Sequence, residues 1–382
     1  MARVVRIDDV RADVGGGLGR VCADVDGRPL WFESADVPLR PAPEAFGSAM
    51  LPAAVERKAD LVLGQPVDPR WHTGVMALQD VWNAWWKYRK VSVRSSAGQD
   101  GDGTRASGVA LCFSGGVDSF FSLLRGGFVF DYLVFVHGYD MPLADVRRAA
   151  AMERSLRAVA AAVGARGIVV RTNLREHPTF AVTEWLRSHG GALAAVGHLL
   201  TDTVGTLVIS SSYPYCYDHP WGTHWTTDPL WSSSRLEVVH YGAEHWRTEK
   251  LHMIVGEDLV RRHLRVCYKN LSPEGNCGRC EKCVRTMLIL AEVGQLEGFP
   301  ALGGSAGLIE GIKRVWALRP DLMPVYESLM RNSQDPQVVA ALQALIARTR
   351  SRSLRLARYA KGLVRSTVYC TQRQIRKWGI LR

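Results

Sequence analysis

The chain has 382 residues, 47% of them hydrophobic, and no run of 18 or more apolar residues. That length gives core enough for two or three domains and excludes a membrane-spanning helix. Net charge is +11. The whole excess sits between Pro336 and Arg382, which hold 11 Lys and Arg and no acidic residue. The start, Met1-Ala2-Arg3-Val4-Val5-Arg6-Ile7-Asp8-Asp9, carries no apolar signal region, so a reducing, cytoplasmic compartment is expected. In that setting the eight cysteines read as metal ligands or free thiols rather than disulfides.

From residue 3 to about 40, short alternating runs are broken by Gly15-Gly16-Gly17 and Asp26-Gly27. They predict a small antiparallel meander. Helices are expected near Phe46–Lys58 and Gly74–Trp86; the second carries Trp82, Trp85 and Trp86, read as packing between domains, with substrate stacking as the other reading. The stretch Ser95 to Thr104 has linker composition and marks a domain boundary. This gives a β-rich domain with helices over 1–104, an α/β domain over 105–300, and a helical extension with a basic tail over 301–382.

Beyond the linker, Val109–Phe113, Tyr132–Val136, Gly167–Val170 and Thr206–Ser210 read as buried strands. Helical patterns at Ala144–Val163 and Gly191–Leu200 lie among them. The alternation predicts an α/β fold, a parallel sheet with helices on both faces. Each strand ends in polar or small residues: Ser114-Gly115-Gly116, His137-Gly138-Tyr139-Asp140, Arg171-Thr172-Asn173 and Ser210-Ser211-Ser212. Ligands bind at that edge in such sheets. The segment Tyr213–Arg247 is rich in Trp and His and lacks periodicity; it reads as a functional loop or as a surface loop with aromatic anchors.

Two motifs carry chemistry. In the first, the run Val109–Phe113 breaks at Ser114-Gly115-Gly116 and restarts as a helix at Val117-Asp118-Ser119-Phe120. Two glycines let the backbone turn tightly, and the amides of the turn then favour an anion. No lysine follows the glycines, so this is not a Walker loop. Asp118 is the odd member, because a carboxylate repels phosphate unless it caps the helix or meets magnesium. The second motif is Cys267, Cys277, Cys280 and Cys283, spaced C-x9-C-x2-C-x2-C. Two C-x2-C steps and a preceding cysteine build a closed tetrahedral site, a structural zinc, with an iron–sulfur cluster as the other four-thiolate group.

The Ser-Gly-Gly-x-Asp-Ser pattern resembles the PP-loop of the ATP pyrophosphatases. Together with the late four-cysteine cluster it resembles the 7-cyano-7-deazaguanine synthase family over about Gly108–Leu290. The chain is also similar to a bacterial PP-loop group with an Asn-Cys-Gly-Arg-Cys-Glu-Lys-Cys cluster. The resemblance implies a Rossmann-like PP-loop fold stabilised by zinc in its C-terminal part. It implies ATP and magnesium as cofactors, and an enzyme that adenylates a small-molecule carboxylate for attack by ammonia or an amine. Ser114, Gly115, Gly116, Val117, Asp118 and Ser119 would hold the phosphates. Phe135, Val136 and His137 would lie near the adenosine. Asp118 would hold magnesium; Arg171, Arg247 and Lys250 would meet pyrophosphate or the substrate carboxylate, or else serve as surface ion-pair residues. The His137-Gly138-Tyr139-Asp140 segment departs from the family pattern, which loosens the link to a deazaguanine substrate.

Two other functions fit the sequence. A sulfur-transfer enzyme of the tRNA-thiolating type needs a reactive cysteine, and Cys216 is the one near the proposed site. A nucleotide- or nucleic-acid-binding protein would use the tail, where Arg348 to Arg365 interleave with Leu354, Leu356, Tyr359 and Leu363. That tail suits RNA or an anionic membrane surface, or is a solvated extension. A homodimer is among the assemblies the sequence allows.

Overall fold

A computed structural model describes residues 3–13, 19–96, 103–272 and 275–351. The first strands, β1 (Val4–Asp13), β2 (Gly19–Val25) and β3 (Arg28–Ser34), pair antiparallel as the alternation predicts. Asp26 and Gly27 take φ of 52° and 77° in the β2–β3 turn, the left-handed pair of a tight hairpin. Next come α1 (Pro43–Arg57), β4 (Asp60–Leu63), α2 (Pro69–Trp86) and β5 (Val93–Ser95). The strands β4 and β5 escape the sequence reading because each is too short to show a period. Trp82 packs on Trp231 with ring centroids 5.9 Å apart.

The later strands are β6 (Gly108–Cys112), β7 (Tyr132–His137), β8 (Arg166–Thr172), β9 (Val204–Ser210) and β10 (Glu237–Tyr241). Between them run α3 (Val117–Arg125), α4 (Val146–Ala162) and α5 (Trp185–Leu199). All ten strands form one sheet in the order β10-β9-β6-β7-β8-β3-β2-β1-β4-β5. Six of its nine strand pairs are parallel. Strands from either side of residue 104 therefore share a sheet, joined where Glu33 of β3 pairs with Arg171 of β8. The linker residues 97–102 lie outside the described residues.

Alternating strand residues fill two cores. Ala110, Val134, Ile168 and Leu207 join α1, α2 and α5, while Leu111, Leu133 and Val208 are buried outside that cluster. Opposite faces follow from the period of two, so helices cover both faces. The helix α5 starts at Trp185, ahead of the expected Gly191. Gly190 and Gly191 stay helical because α5 runs close against its neighbours: a Cβ on Gly191 would stand 2.4 Å from the Ser48 carbonyl oxygen of α1. The segment 213–247 is not wholly irregular either. It contains a 3-10 turn, Asp228–Trp231, and the edge strand β10.

At the end of α5, His198 is buried with Nε2 2.9 Å from the Trp231 carbonyl oxygen. Burial pushes its imidazole down to about 4, against 6.5 in an unfolded chain. Between those values the unfolded chain holds the proton and the folded chain does not. Stability therefore rises with pH across this window and is lost on acidification, by on the order of 3 kcal/mol at about 1.4 kcal/mol per unit. In urea unfolding at about pH 4.5 and pH 7, His198→Gln, which keeps a donor for Trp231, should show a shallower acid loss than wild type.

The described chain divides into two compact units, Met1–Val266 with Asn270–Gly275, and Cys267–Lys269 with Asn276 onward. The first unit ends with α6 (Arg247–Ile254) and α7 (Asp258–His263). The second is helical: α8 (Glu281–Glu292), α9 (Gly304–Arg314), α10 (Met323–Asn332) and α11 (Pro336–Arg350). Its core includes Val284, Met287, Ile312, Tyr326 and Leu342. In α11, Arg348 donates to the Val315 and Trp316 carbonyls and Arg350 pairs with Glu327. The remainder of the basic tail, 352–382, lies outside the described residues. No described helix is long and apolar enough to cross a membrane. The described chain has eleven α-helices and a mostly parallel sheet, an α/β fold.

Candidate functional site

The Ser-Gly-Gly turn joins β6 to α3 at the carboxyl edge of the sheet. Gly115 has φ +70°, a left-handed conformation that side chains resist. Its carbonyl oxygen accepts the Arg265 N–H at 2.7 Å, which fixes the turn from the far end of the first unit. Gly116 precedes the first helical residue, and its N–H donates to Ser114 Oγ at 3.3 Å. Ser114 itself is exposed. The first amides of α3 have no acceptor within the helix and carry the positive end of its dipole. Ser119 is buried and donates to the Gly116 carbonyl oxygen at 3.0 Å. Its hydroxyl braces the loop in this arrangement. Val117 is buried in the first turn.

Asp118 is the centre of the charge cluster. Arg247 Nη1 lies 2.8 Å from Asp118 Oδ2, and Lys250 Nζ lies 3.6 Å from Oδ1. Both cations come from α6, one turn apart on one face. The Trp246 N–H donates to Glu249 Oε2 at 2.7 Å and so caps that helix. Lys250 is 1% exposed and also donates to the Ser211 carbonyl oxygen at 2.8 Å, just past β9. Burial pulls the Lys250 ammonium below its ordinary range, and the Asp118 carboxylate opposes that shift. Two cations beside an anion-favouring turn suit a polyphosphate.

Other sequence-selected residues lie elsewhere. Arg171 is 47% exposed and pairs with Glu33 at 2.8 Å. It stands two strands from β6, because the register of β3 on β8 sets Glu33 opposite it. Glu33 is buried between Arg171 and Arg20. Phe135, Val136 and His137 are buried at the end of β7. His137 Nε2 is 2.9 Å from the Pro142 carbonyl oxygen, which can only accept, so Nε2 carries the proton. Burial lowers the His137 pKa and keeps the ring neutral. Gly138 follows with φ +111°, and a Cβ there would stand 2.0 Å from the Thr172 carbonyl oxygen. Gly138→Ala should cost about 3 kcal/mol or more, through strain and a backbone clash; urea titration of the variant measures it. Arg265 is not selected from the sequence, and Gly138 only as part of a strand end, not for its contact with Thr172. Their partners are distant in the chain, so no local pattern marks them.

The cysteine cluster lies in the second unit. The sulfur atoms of Cys267, Cys277, Cys280 and Cys283 all lie within 4.8 Å of one another. The Cys277–Cys283 and Cys280–Cys267 separations are 3.9 Å and 4.0 Å. An ion about 2.3 Å from each of four tetrahedral sulfurs sets them about 3.8 Å apart, so the donors fit zinc. Gly275 and Gly278 turn the chain with φ of 71° and 64°. The Cys280 N–H points to Cys277 Sγ at 3.3 Å, and Cys283 sits in the first turn of α8, where the helix dipole favours a thiolate. Hydrogen bonds from Cys280 and Cys283 drive the Cys267 thiol well down. Four ligands leave no open position, so the geometry suits a structural metal. No family model, curated protein or solved structure matches the chain.

Proposed function

We propose that this protein is an ATP-dependent enzyme of the PP-loop type. It forms AMP and pyrophosphate while adenylating a substrate carboxylate for attack by ammonia or an amine. The observation that carries this reading is the Asp118–Arg247–Lys250 cluster set against the left-handed Gly115 turn at the sheet's carboxyl edge. The α3 amides and Ser114 would hold phosphate oxygens. Arg247 and Lys250 would face the charge that develops on departing pyrophosphate, where preorganised donors act most strongly. Magnesium, when bound with the nucleotide, supplies further neutralisation, and Asp118 is the residue that would hold it. Positioning and charge then do most of the work, as in other phosphoryl and nucleotidyl chemistry.

Pyrophosphate release from ATP, measured over a panel of carboxylates with ammonia, tests this. Wild type should release pyrophosphate with at least one carboxylate, and Asp118→Ala should not. Ser114→Ala, at an exposed position, should slow release by about 10-fold or more with an unchanged melting temperature. No release by wild type with any carboxylate sinks the reading. Exposed Cys216 supports sulfur transfer as a second reading; full activity in Cys216→Ser removes it.

A further inference from the structure

Between β9 and α6 the chain buries an acid–base pair that ATP binding leaves without a task. Asp228 has 0% exposure. Its Oδ1 accepts the His224 N–H at 3.1 Å, and its Oδ2 lies 2.7 Å from His240 Nδ1. A carboxylate accepts only, so the proton of neutral His240 stays on Nδ1 and the lone pair on Nε2. That Nε2 is buried and has no hydrogen-bond partner among the described residues. Other buried histidines behave differently: His137, His177 and His198 each set a ring nitrogen against a backbone carbonyl. A buried nitrogen without a partner is costly, and such atoms call for an explanation.

The location supplies one. His240 stands near the carboxyl end of β10. Tyr241, next in the chain, accepts the Ser211 N–H at 2.7 Å, and the Ser211 carbonyl holds Lys250. The pair is thus linked to the Asp118 cluster through two residues. Trp225 packs edge-on to His240 at 6.2 Å, and Tyr215, 51% exposed, packs on Trp225 at 4.9 Å. These contacts set two aromatic rings of the loop beside the His240 ring.

The geometry points to His240, oriented by Asp228, as the general base of the second half-reaction. This rests on the adenylation reading. The lone pair of the attacking nitrogen forms the C–N bond at the activated carbonyl. The C–O bond to AMP breaks, and its electron pair leaves on the AMP phosphate oxygen. One proton of the attacking nitrogen passes to His240 Nε2, and Asp228 stabilises the resulting imidazolium. The proton goes to solvent after AMP departs. Among the described residues, other ionisable groups near the pair include His189, His224, hydrogen-bonded to Asp218, and Cys112. Burial pushes the Cys112 thiol up to about 12, so it stays neutral.

The test separates the two half-reactions in the full-length chain, with the carboxylate that gives the fastest pyrophosphate release. Exchange of labelled pyrophosphate into ATP reports adenylation, and amide formation reports the attack. His240→Gln should keep exchange within about threefold and lose about 100-fold or more of amide formation. Imidazole should restore part of the loss in His240→Gly. A parallel fall in both half-reactions, no fall in either, or no rescue overturns the assignment. Absence of exchange in wild type is instead a failure of the adenylation reading. Nitrogen NMR of His240 needs no substrate: a bare Nε2 with protonated Nδ1 near pH 7.5 supports the base, and the reverse tautomer overturns it.

Discussion

Replacing Cys283 with serine should strip the metal from the second unit and destabilise it by several kcal/mol. Cys283 is fully buried at the start of α8, next to Val284 and close to Met287 in the unit's core. The thiols of Cys267, Cys277 and Cys280 converge with it on one point. A neutral hydroxyl is a poor fourth ligand, and the three remaining thiolates then repel one another. Apparent binding free energies of about 10–16 kcal/mol for structural zinc match or exceed the roughly 5–15 kcal/mol that holds a whole domain. Metal analysis should find about one zinc per wild-type chain and far less in the variant. Calorimetry should show a low-temperature transition in Cys283→Ser, reproduced by chelating wild type. Equal melting curves with and without metal would overturn the structural role, and iron with sulfide in place of zinc would reassign the cluster.

The second large effect is a split between two halves of one ion pair. Asp118→Ala leaves Lys250, 1% exposed, without the carboxylate that offsets its burial. Removing one partner of a buried pair costs about 3 kcal/mol or more; Asp118 is 15% exposed, so about 2–3 kcal/mol is expected. Lys250→Met works the other way. It removes the buried ammonium itself, and an apolar replacement of similar size is often neutral or stabilising. Arg247 still pairs with Asp118 at 2.8 Å. Lys250→Met should therefore melt within a few degrees of wild type yet lose about 100-fold or more in pyrophosphate release. A buried lysine that costs stability and serves chemistry gives this pattern. One that merely packs would lower stability and spare the rate.

How much of this was legible follows from how local each signal is. The run at Val109–Phe113 and the glycines after it predict the β6–α3 turn, and the structure places a strand at Gly108–Cys112 and a helix from Val117. The meander is equally local, fixed by alternation and by Asp26-Gly27. The C-x2-C steps predict convergence, and four sulfurs do converge. Pairing across distance is another matter. Nothing near Glu33 announces that it meets Arg171, yet that register takes Arg171 into a pair with Glu33. The sequence pattern starts α5 at Gly191, since glycines normally punctuate helices; here Gly191 admits the backbone of α1 and Gly190 the carbonyl of Gly222. The stretch 213–247 hides β10 because its strand is only five residues long and lies at the sheet edge.

The most direct test of the adenylation claim follows the carboxylate oxygen. Attack of a carboxylate on the α-phosphorus of ATP places a substrate oxygen between carbon and phosphorus, and the later C–O cleavage leaves that oxygen on AMP. With a carboxylate enriched in oxygen-18 and ammonia as nucleophile, wild-type protein should yield AMP carrying one labelled oxygen, with unlabelled pyrophosphate. Unlabelled AMP, or label in inorganic phosphate with ADP as the co-product, would contradict the account.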